Sequence, residues 1–176
     1  MNAKHLCQTP SHYTPKIYID AVREVLGGID LDPASSEAAN DTVQATNYFT
    51  EDQDGLSQPW YGNVFCNPPG GKQNNQSLPK LFWQKLIKSQ SAIDHAVFLA
   101  FSIEQLQTTQ NCAVSMLDFP VCIPNKRIRF TKPDGTPGNS PTHASAFIYV
   151  PGRINKQSTF YKVFAKFGSV ILPYNF

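Results

Sequence analysis

The segment NPPGG, residues 67–71, constrains the fold of this chain more than any other stretch. It directly follows the apolar run VFC, residues 64–66, which is typical of a β-strand. Neither a helix nor a central strand continues through two prolines, because each proline lacks a backbone N–H and holds φ at roughly −65°. A strand therefore ends at residue 66, and a rigid loop begins there.

Segments with helical and strand-like patterns alternate along the rest of the chain. Apolar spacing predicts helices at residues 17–28, 79–89, 103–109 and 158–167. Strand-like runs occur at residues 29–32, 93–101, 117–123, 126–130, 144–150 and 170–173. Residues 36–63 are polar and turn-rich, so we expect little regular structure there, and KQNNQS (residues 72–77) reads as a polar loop.

This alternation with short connections favours an α/β fold, in which helices cover both faces of a mostly parallel sheet. The late pair KRIRF (residues 126–130) and ASAFIYV (residues 144–150), joined by a long turn-rich loop, indicates an antiparallel hairpin at one edge. Ligands of such sheets bind outside the carboxyl ends of the strands. The DPAS loop (residues 32–35) and the NPPGG loop are therefore expected at the binding edge.

Composition narrows the class of protein. The 176 residues suit one domain, and 14 prolines with 16% charged residues argue against a coiled coil or collagen. No stretch approaches the ~20 apolar residues of a membrane span, and residues 1–16 lack the apolar core of a secretory signal, so we expect a cytoplasmic protein without membrane contact. Fifteen Lys and Arg against thirteen Asp and Glu give a net charge of +2, which neither demands nor excludes a polyanionic partner.

Cysteine and histidine spacing does not indicate a metal site. The four cysteines, at positions 7, 66, 112 and 122, contain no Cys-x-x-Cys pair, so we expect reduced structural thiols. His5, His12 and His95 likewise lack the spacing of metal ligands.

The loop after residue 66 carries a cluster of hydrogen-bond acceptors. Asn67 has a side-chain carbonyl oxygen, and Pro68 and Pro69 contribute backbone carbonyls without N–H groups. Such acceptors suit a planar NH₂ group, because accepting both of its hydrogens makes the nitrogen more tetrahedral and more nucleophilic. The tripeptide by itself is equally compatible with a turn that merely ends a strand.

Several segments occur together in a fixed order: YTP opening a helix, IDLDPASS, DGLSQPW, VFCNPPGG, HAVFLAF, and RIRF followed by GNSPTHASAFIYV. In this ordered set, which covers most of the chain, the sequence resembles the phage-type DNA N6-adenine methyltransferases. The resemblance implies a single methyltransferase domain over residues 1–176 with a compact Rossmann-like sheet. It also implies a phage- or prophage-encoded enzyme that transfers a methyl group from S-adenosylmethionine to the N6 amine of adenine in double-stranded DNA.

The resemblance assigns roles to individual residues. Asn67 and the Pro68 carbonyl would hold the target amine, and Pro69 and Gly70 would complete the catalytic motif. The cofactor residues that it implies are Thr14, Pro15, Asp30, Asp32, Pro33, Ala34, Ser35 and Asp54.

Each cofactor group has an expected contact. Thr14 and Pro15 resemble the segment that closes over the methionine end of the cofactor. Asp30 or Asp32 would face the ammonium and sulfonium charges, one of the two being simply solvated. Asp54 would accept a hydrogen bond from the adenine amine, although an Asp-Gly pair is also a common turn.

The chain departs from the family pattern at two points. The fourth motif position, an aromatic in the family, is Gly70, so the ring that stacks on the flipped base is absent. Stacking of this kind contributes about 1–3 kcal/mol per base. Trp83, Phe101 and Phe130 are the candidates for a substitute ring, and each is also compatible with a place in the core. Second, only about 35 residues separate Asp32 from Asn67, so the intervening strands must be short.

Basic and amide side chains near the expected binding edge are candidates for DNA contact. They are Lys72, Lys126, Arg127, Arg129 and His143, with Lys132, Asn74, Asn75, Gln76 and Asn139 near them. A charge cluster of this size is also compatible with a solvated strand end, and His143 with a satisfied edge histidine.

Two other functions fit the same residues. One is N-methylation of a different amine or amide, such as a protein glutamine, because the acceptor cluster serves any planar NH₂ group. The other is a catalytically silent binding module that has kept the fold, which the glycine at position 70 would explain. No obligate protein partner can be inferred.

Overall fold

A computed structural model of the chain describes residues 13–132, 136–138 and 142–173. Its helices are α1 (Lys16–Leu26), α2 (Glu37–Val43), α3 (Leu78–Lys88), α4 (Glu104–Thr108) and α5 (Gln157–Phe164). Its strands are β1 (Leu31–Asp32), β2 (Asn47–Tyr48), β3 (Gly62–Cys66), β4 (Lys72–Gln73), β5 (Gln76–Ser77), β6 (Ile93–Ala100), β7 (Val121–Pro124), β8 (Ala146–Pro151) and β9 (Gly168–Ile171). His5, Cys7, His12 and Asn139 lie outside the described residues.

Seven strands form the main sheet, in the order β2-β1-β3-β6-β8-β7-β9. The pairs β2–β1, β1–β3 and β3–β6 are parallel, whereas β6–β8, β8–β7 and β7–β9 are antiparallel. The predicted α/β class, with parallel strands and an antiparallel addition at one side, is confirmed.

The antiparallel part differs in detail from the hairpin that the sequence predicts. Residues 126–130 are described and form no strand, so the expected partner of ASAFIYV is absent from the sheet. Instead β8 lies between β6 and β7. Its residues 146–150 are all buried, and a strand covered on both faces belongs inside a sheet rather than at its edge.

Two layers of helices cover the sheet, as predicted. On β6, Val97 and Leu99 face the core under α1 and α5, whereas Ala96, Phe98 and Ala100 face the core under α3. The alternation follows from the two-residue period of a strand. The sheet is thus buried on both faces, and its loops are concentrated at the ends of the strands.

The expectation of little regular structure between residues 36 and 63 is wrong. Helix α2 begins after Ser36, whose hydroxyl accepts a hydrogen bond from the Ala39 amide over 3.2 Å. Val43 is the buried residue of α2, so the helix lacks the apolar stripe by which helices are recognised in a sequence.

The polar stretch KQNNQS also differs from expectation, because it forms a small hairpin of β4 and β5. Asn74 and Asn75 both have positive φ, 50° and 62°. This is the backbone of a tight hairpin turn, in which Asn tolerates the left-handed region.

His95 is buried and serves the structure. Its Nε2 donates to the Leu26 carbonyl over 3.2 Å, and its Nδ1 lies 3.1 Å from the Tyr149 hydroxyl. Burial lowers the pKa of His95. Within the described ranges, no group of His, Cys, Asp and Glu residues is arranged to hold a metal ion. The same ranges contain no helix long and apolar enough to cross a membrane.

Candidate functional site

The carboxyl ends of β1, β3 and β6 meet at one edge of the sheet, because the three strands are parallel neighbours. Asp32 ends β1, Asn67 follows β3, and Phe101 follows β6. The predicted convergence of the DPAS and NPPGG loops is therefore found. Open α/β sheets bind their ligands at such an edge.

A short N-terminal segment, residues 13–15, connects the two loops. The Asn67 side-chain nitrogen donates a hydrogen bond to the Thr14 hydroxyl over 3.2 Å. The Tyr13 hydroxyl lies 3.2 Å from the hydroxyl of Ser36, which follows the DPAS loop. Thr14 is buried, and Pro15 leads into α1. The 13–15 segment thus crosses from the end of β1 to the end of β3.

Asp32 is a buried carboxyl, 3% exposed. Its Oδ1 accepts the Ala34 amide over 3.1 Å. Burial raises the pKa of Asp32 to about 7, although the Ala34 amide and the Ser35 hydroxyl lower it. None of the ion pairs among the described residues involves Asp32. A buried acid without a cationic side chain beside it suits a positively charged ligand.

Asp30 has a different place. Its Oδ2 accepts the Asn63 amide over 2.8 Å, at the start of β3 and at the opposite end of that strand from Asn67. Gly62, with φ of 63°, allows this approach, since a Cβ there would come within 2.5 Å of the Asp30 carboxylate. Of the two acids, Asp32 is therefore the one at the binding edge.

Gly55 packs directly on the DPAS loop. A Cβ on Gly55 would lie 1.9 Å from the Pro33 carbonyl oxygen, so no side chain fits there. The Gly55 carbonyl in turn accepts the buried Trp60 indole N–H over 2.8 Å. Sequence reasoning assigned no role to Gly55 or Trp60, although the segment DGLSQPW contains both.

Asp54 is the turn residue that its Asp-Gly pair indicates. Its φ is 49°, and its Oδ1 accepts the Leu56 amide over 3.2 Å. The turn also brings Asp54 beside the DPAS loop, because Gly55 touches Pro33. Its exposed position is compatible with contact to a ligand held on that loop.

The Phe101 ring lies beside Gly70 of the NPPGG loop. A Cβ on Gly70 would lie 3.9 Å from Phe101 Cζ and 4.0 Å from Cε1. Trp83 is fully buried, with its indole N–H donating to the Val114 carbonyl over 2.9 Å, and is therefore a core residue. Phe130 packs against the core under α1.

The basic candidates lie at the same edge of the sheet. Lys72, Lys126, Arg127, Arg129 and His143 are all exposed. Residues 125–130 follow the carboxyl end of β7, which runs in the same direction as β6. Thr131 exchanges two backbone hydrogen bonds, of 2.9 and 3.0 Å, with Tyr13. The basic loop is thus attached to the 13–15 segment.

No protein-family model matches the chain, and a comparison with curated proteins finds no match. Among solved structures, a Listeria monocytogenes protein described as a candidate class I S-adenosylmethionine-dependent methyltransferase superposes with a TM-score of 0.52 at 12% identity. The match covers 85% of this chain and 63% of that chain, so this chain spans less than two thirds of the length of that protein. The chain therefore has the Rossmann-like fold of class I methyltransferases.

Proposed function

We propose that this protein is an S-adenosylmethionine-dependent methyltransferase that modifies the N6 amine of adenine in DNA. The observation that carries the proposal is the junction of the buried Asp32 and the amide of Asn67 at neighbouring strand ends, connected by the 13–15 segment. The methyltransferase fold and the resemblance of the ordered motifs to phage DNA N6-adenine methyltransferases support the same assignment.

The residues at the end of β1 fit S-adenosylmethionine. Asp32 would face its positively charged methionine end, because that carboxyl is buried and no ion pair of the described residues satisfies it. Asp54 would accept the adenine amine, and Thr14 with Pro15 would cover the methionine end. When bound, the cofactor supplies a methyl group activated by its sulfonium charge.

The residues at the end of β3 act on the substrate amine. Asn67 Oδ1 and the Pro68 carbonyl would each accept one hydrogen of the amine, which directs the nitrogen lone pair out of the plane of the base. The hydrogen bond from Asn67 Nδ2 to Thr14 orients the amide for this contact. No covalent enzyme intermediate is required, because the amine itself is the nucleophile.

The exposed basic residues at the same edge support DNA as the substrate. Lys126, Arg127 and Arg129 lie on a loop joined to the 13–15 segment, so phosphates bound there would lie close to Asn67. Contacts of this kind hold the duplex in position and carry no sequence information. Extrusion of the adenine from the helix would bring its amine to the NPPGG loop.

Labelled S-adenosylmethionine and unmethylated DNA, followed by nucleoside analysis, test the proposal. We expect N6-methyladenine from the wild type and a rate lower by roughly 10²–10³ for Asn67→Ala, since the substitution removes one preorganised polar interaction. Asn47→Ala, an exposed substitution on β2, is the matched control and should keep the wild-type rate. Absence of N6-methyladenine, or an unchanged rate in Asn67→Ala, would refute the assignment.

Two further measurements distinguish the other two functions. Methyl transfer to glutamine-containing peptides rather than DNA would identify an amide methyltransferase. Calorimetric binding of the cofactor without transfer to either substrate would identify a silent module.

A further inference from the structure

The side chain of Phe101 lies beside Gly70. The 3.9 Å and 4.0 Å separations between a Cβ at position 70 and the tip of the Phe101 ring are ordinary van der Waals distances. A side chain at position 70 would start in contact with that ring. Phe101 therefore lies next to the position at which the family motif has its aromatic.

Phe101 and His143 form a corner of two rings. Their centroids are 6.5 Å apart, and their planes stand at 89°. Phe101 is half-buried and His143 is exposed, so the corner opens to solvent at the edge of the sheet. A planar ligand that lies flat on one ring presents its edge to the other.

Hydrogen bonds fix this corner in place. The Ser145 hydroxyl donates to the Phe101 carbonyl over 3.0 Å, and the Ile103 amide donates to the Ala144 carbonyl over 2.8 Å. These two bonds hold the segment before β8 against the segment after β6. The Thr142 hydroxyl, 2.8 Å from His143 Nδ1, orients the imidazole. The backbone that carries Phe101 is thus held in place, and the His143 ring has a hydrogen-bond partner beside it.

We propose that Phe101, with His143 beside it, is the stacking surface for the planar base whose amine Asn67 holds, replacing the aromatic that the motif lacks at Gly70. This inference rests on the proposed function. Its physical basis is that the base must be held flat and next to the NPPGG loop, and Phe101 is the half-buried ring that borders Gly70. Stacking on an aromatic face is strong and tolerant of base identity, so the amide contact would supply the selectivity.

A binding experiment can separate the contribution of the base from that of the phosphates. One probe is a short single-stranded oligonucleotide that is abasic except for one central adenine, and the other is the fully abasic strand of the same length. Wild-type protein should bind the adenine strand about tenfold more tightly than the abasic strand, because stacking on an aromatic side chain stabilises one base by this order. Phe101→Leu should abolish this preference, whereas Phe101→Tyr, which keeps the ring, should preserve it.

Phe119→Leu is the matched control, because Phe119 is also partly buried but packs on Trp83 at a centroid distance of 5.7 Å. It should keep the preference for the adenine strand. The proposal fails if the wild type shows no preference, or if Phe101→Leu retains it.

Methyl transfer is measured separately on the same variants with unmethylated DNA. An adenine preference that depends on Phe101, without formation of N6-methyladenine, would refute the proposed function and leave the stacking surface standing. Wild-type rates of N6-methyladenine formation in Phe101→Leu would refute the stacking surface and leave the proposed function standing.

Discussion

The Asn67 side-chain nitrogen lies 3.2 Å from the Thr14 hydroxyl, to which it donates a hydrogen bond, although 53 positions separate the two residues. Thr14 is buried and belongs to the 13–15 segment. With Nδ2 committed to Thr14, the amide plane of Asn67 is defined, and so is the direction in which Oδ1 can accept a hydrogen. Under the proposed function, Thr14 would therefore be a positioning residue for the substrate amine.

Thr14→Val removes this hydrogen bond while nearly preserving the shape of the side chain. We expect kcat for methyl transfer to fall about fivefold, because an intramolecular hydrogen bond contributes ~1 kcal/mol to holding the amide in place. KM for DNA should change little, since the proposed phosphate contacts are made by other residues.

Thr14→Ser, which keeps the hydroxyl, is the control and should retain most of kcat. An unchanged kcat in Thr14→Val would show that the amide does not depend on Thr14. A loss confined to KM for the cofactor would instead assign Thr14 to cofactor binding alone.

Asp32 should make the stability of the protein depend on pH. Its pKa is raised from the ordinary 3.8 to about 7, so the folded protein keeps a proton that the unfolded chain releases. Stability from this group is therefore lost as the pH rises from about 4 to about 7, by up to ~1.4 kcal/mol per pH unit, and changes no further above 7.

Asp32→Asn removes that titration. Measured by chemical denaturation, the free energy of unfolding of the variant relative to the wild type should increase between pH 4 and 7 and level off above. Asp41→Asn, at an exposed position of α2, should show no such trend. A difference between Asp32→Asn and wild type that is independent of pH would contradict the raised pKa.

The sequence predicted the elements that bury apolar residues in a clear period, and it missed those that do not. Helix α1 was recognisable because Ile19, Val22 and Leu26 recur on one face. Helix α2 was not, because Val43 is its buried residue and the helix has no apolar stripe. Strand β8 was recognised but placed at an edge, since the position of a strand in a sheet depends on partners far away in sequence.

The same distinction applies to the site. Asp32 and Asn67 could be placed at one edge, because parallel strands bring their carboxyl ends together. The sequence offered Phe101, Trp83 and Phe130 as candidate rings, but it could not predict which of them lies beside Gly70, since this depends on how far β6 extends beside β3. The separation of Asp30 from Asp32 likewise depends on the hydrogen bond between Asp30 and the Asn63 amide.

Neutralising Arg127 and Arg129 together should weaken binding to DNA of any sequence. Both side chains are exposed at the edge that carries Asn67. The slope of log affinity against log salt should become shallower by roughly 0.9 for each duplex phosphate that the variant no longer neutralises. Fluorescence anisotropy with a random duplex at several salt concentrations measures this slope, and Lys162→Gln on α5 is the control. An unchanged slope would mean that both arginines are solvated surface charges that contact no phosphate.

Gly55 and Gly70 lie in two loops of the same edge but should respond differently to alanine. A methyl group on Gly55 would approach the Pro33 carbonyl oxygen to 1.9 Å, and backbone must move to admit it. On Gly70 the methyl group would lie at an ordinary van der Waals distance, 3.9 Å, from the Phe101 ring. We therefore expect Gly55→Ala to lower the free energy of unfolding by about 1–3 kcal/mol, and Gly70→Ala to leave it nearly unchanged.

The displacement caused by Gly55→Ala should also shift the DPAS loop and Asp32, because Pro33 directly follows Asp32. Affinity for S-adenosylmethionine, measured by calorimetry at a temperature where the variant remains folded, should fall, whereas Gly70→Ala should bind the cofactor as the wild type does. The comparison separates the two loops, since only the first is proposed to hold the cofactor. Equal cofactor affinity in Gly55→Ala, Gly70→Ala and wild type would mean that the cofactor does not depend on the loop at residues 32–35.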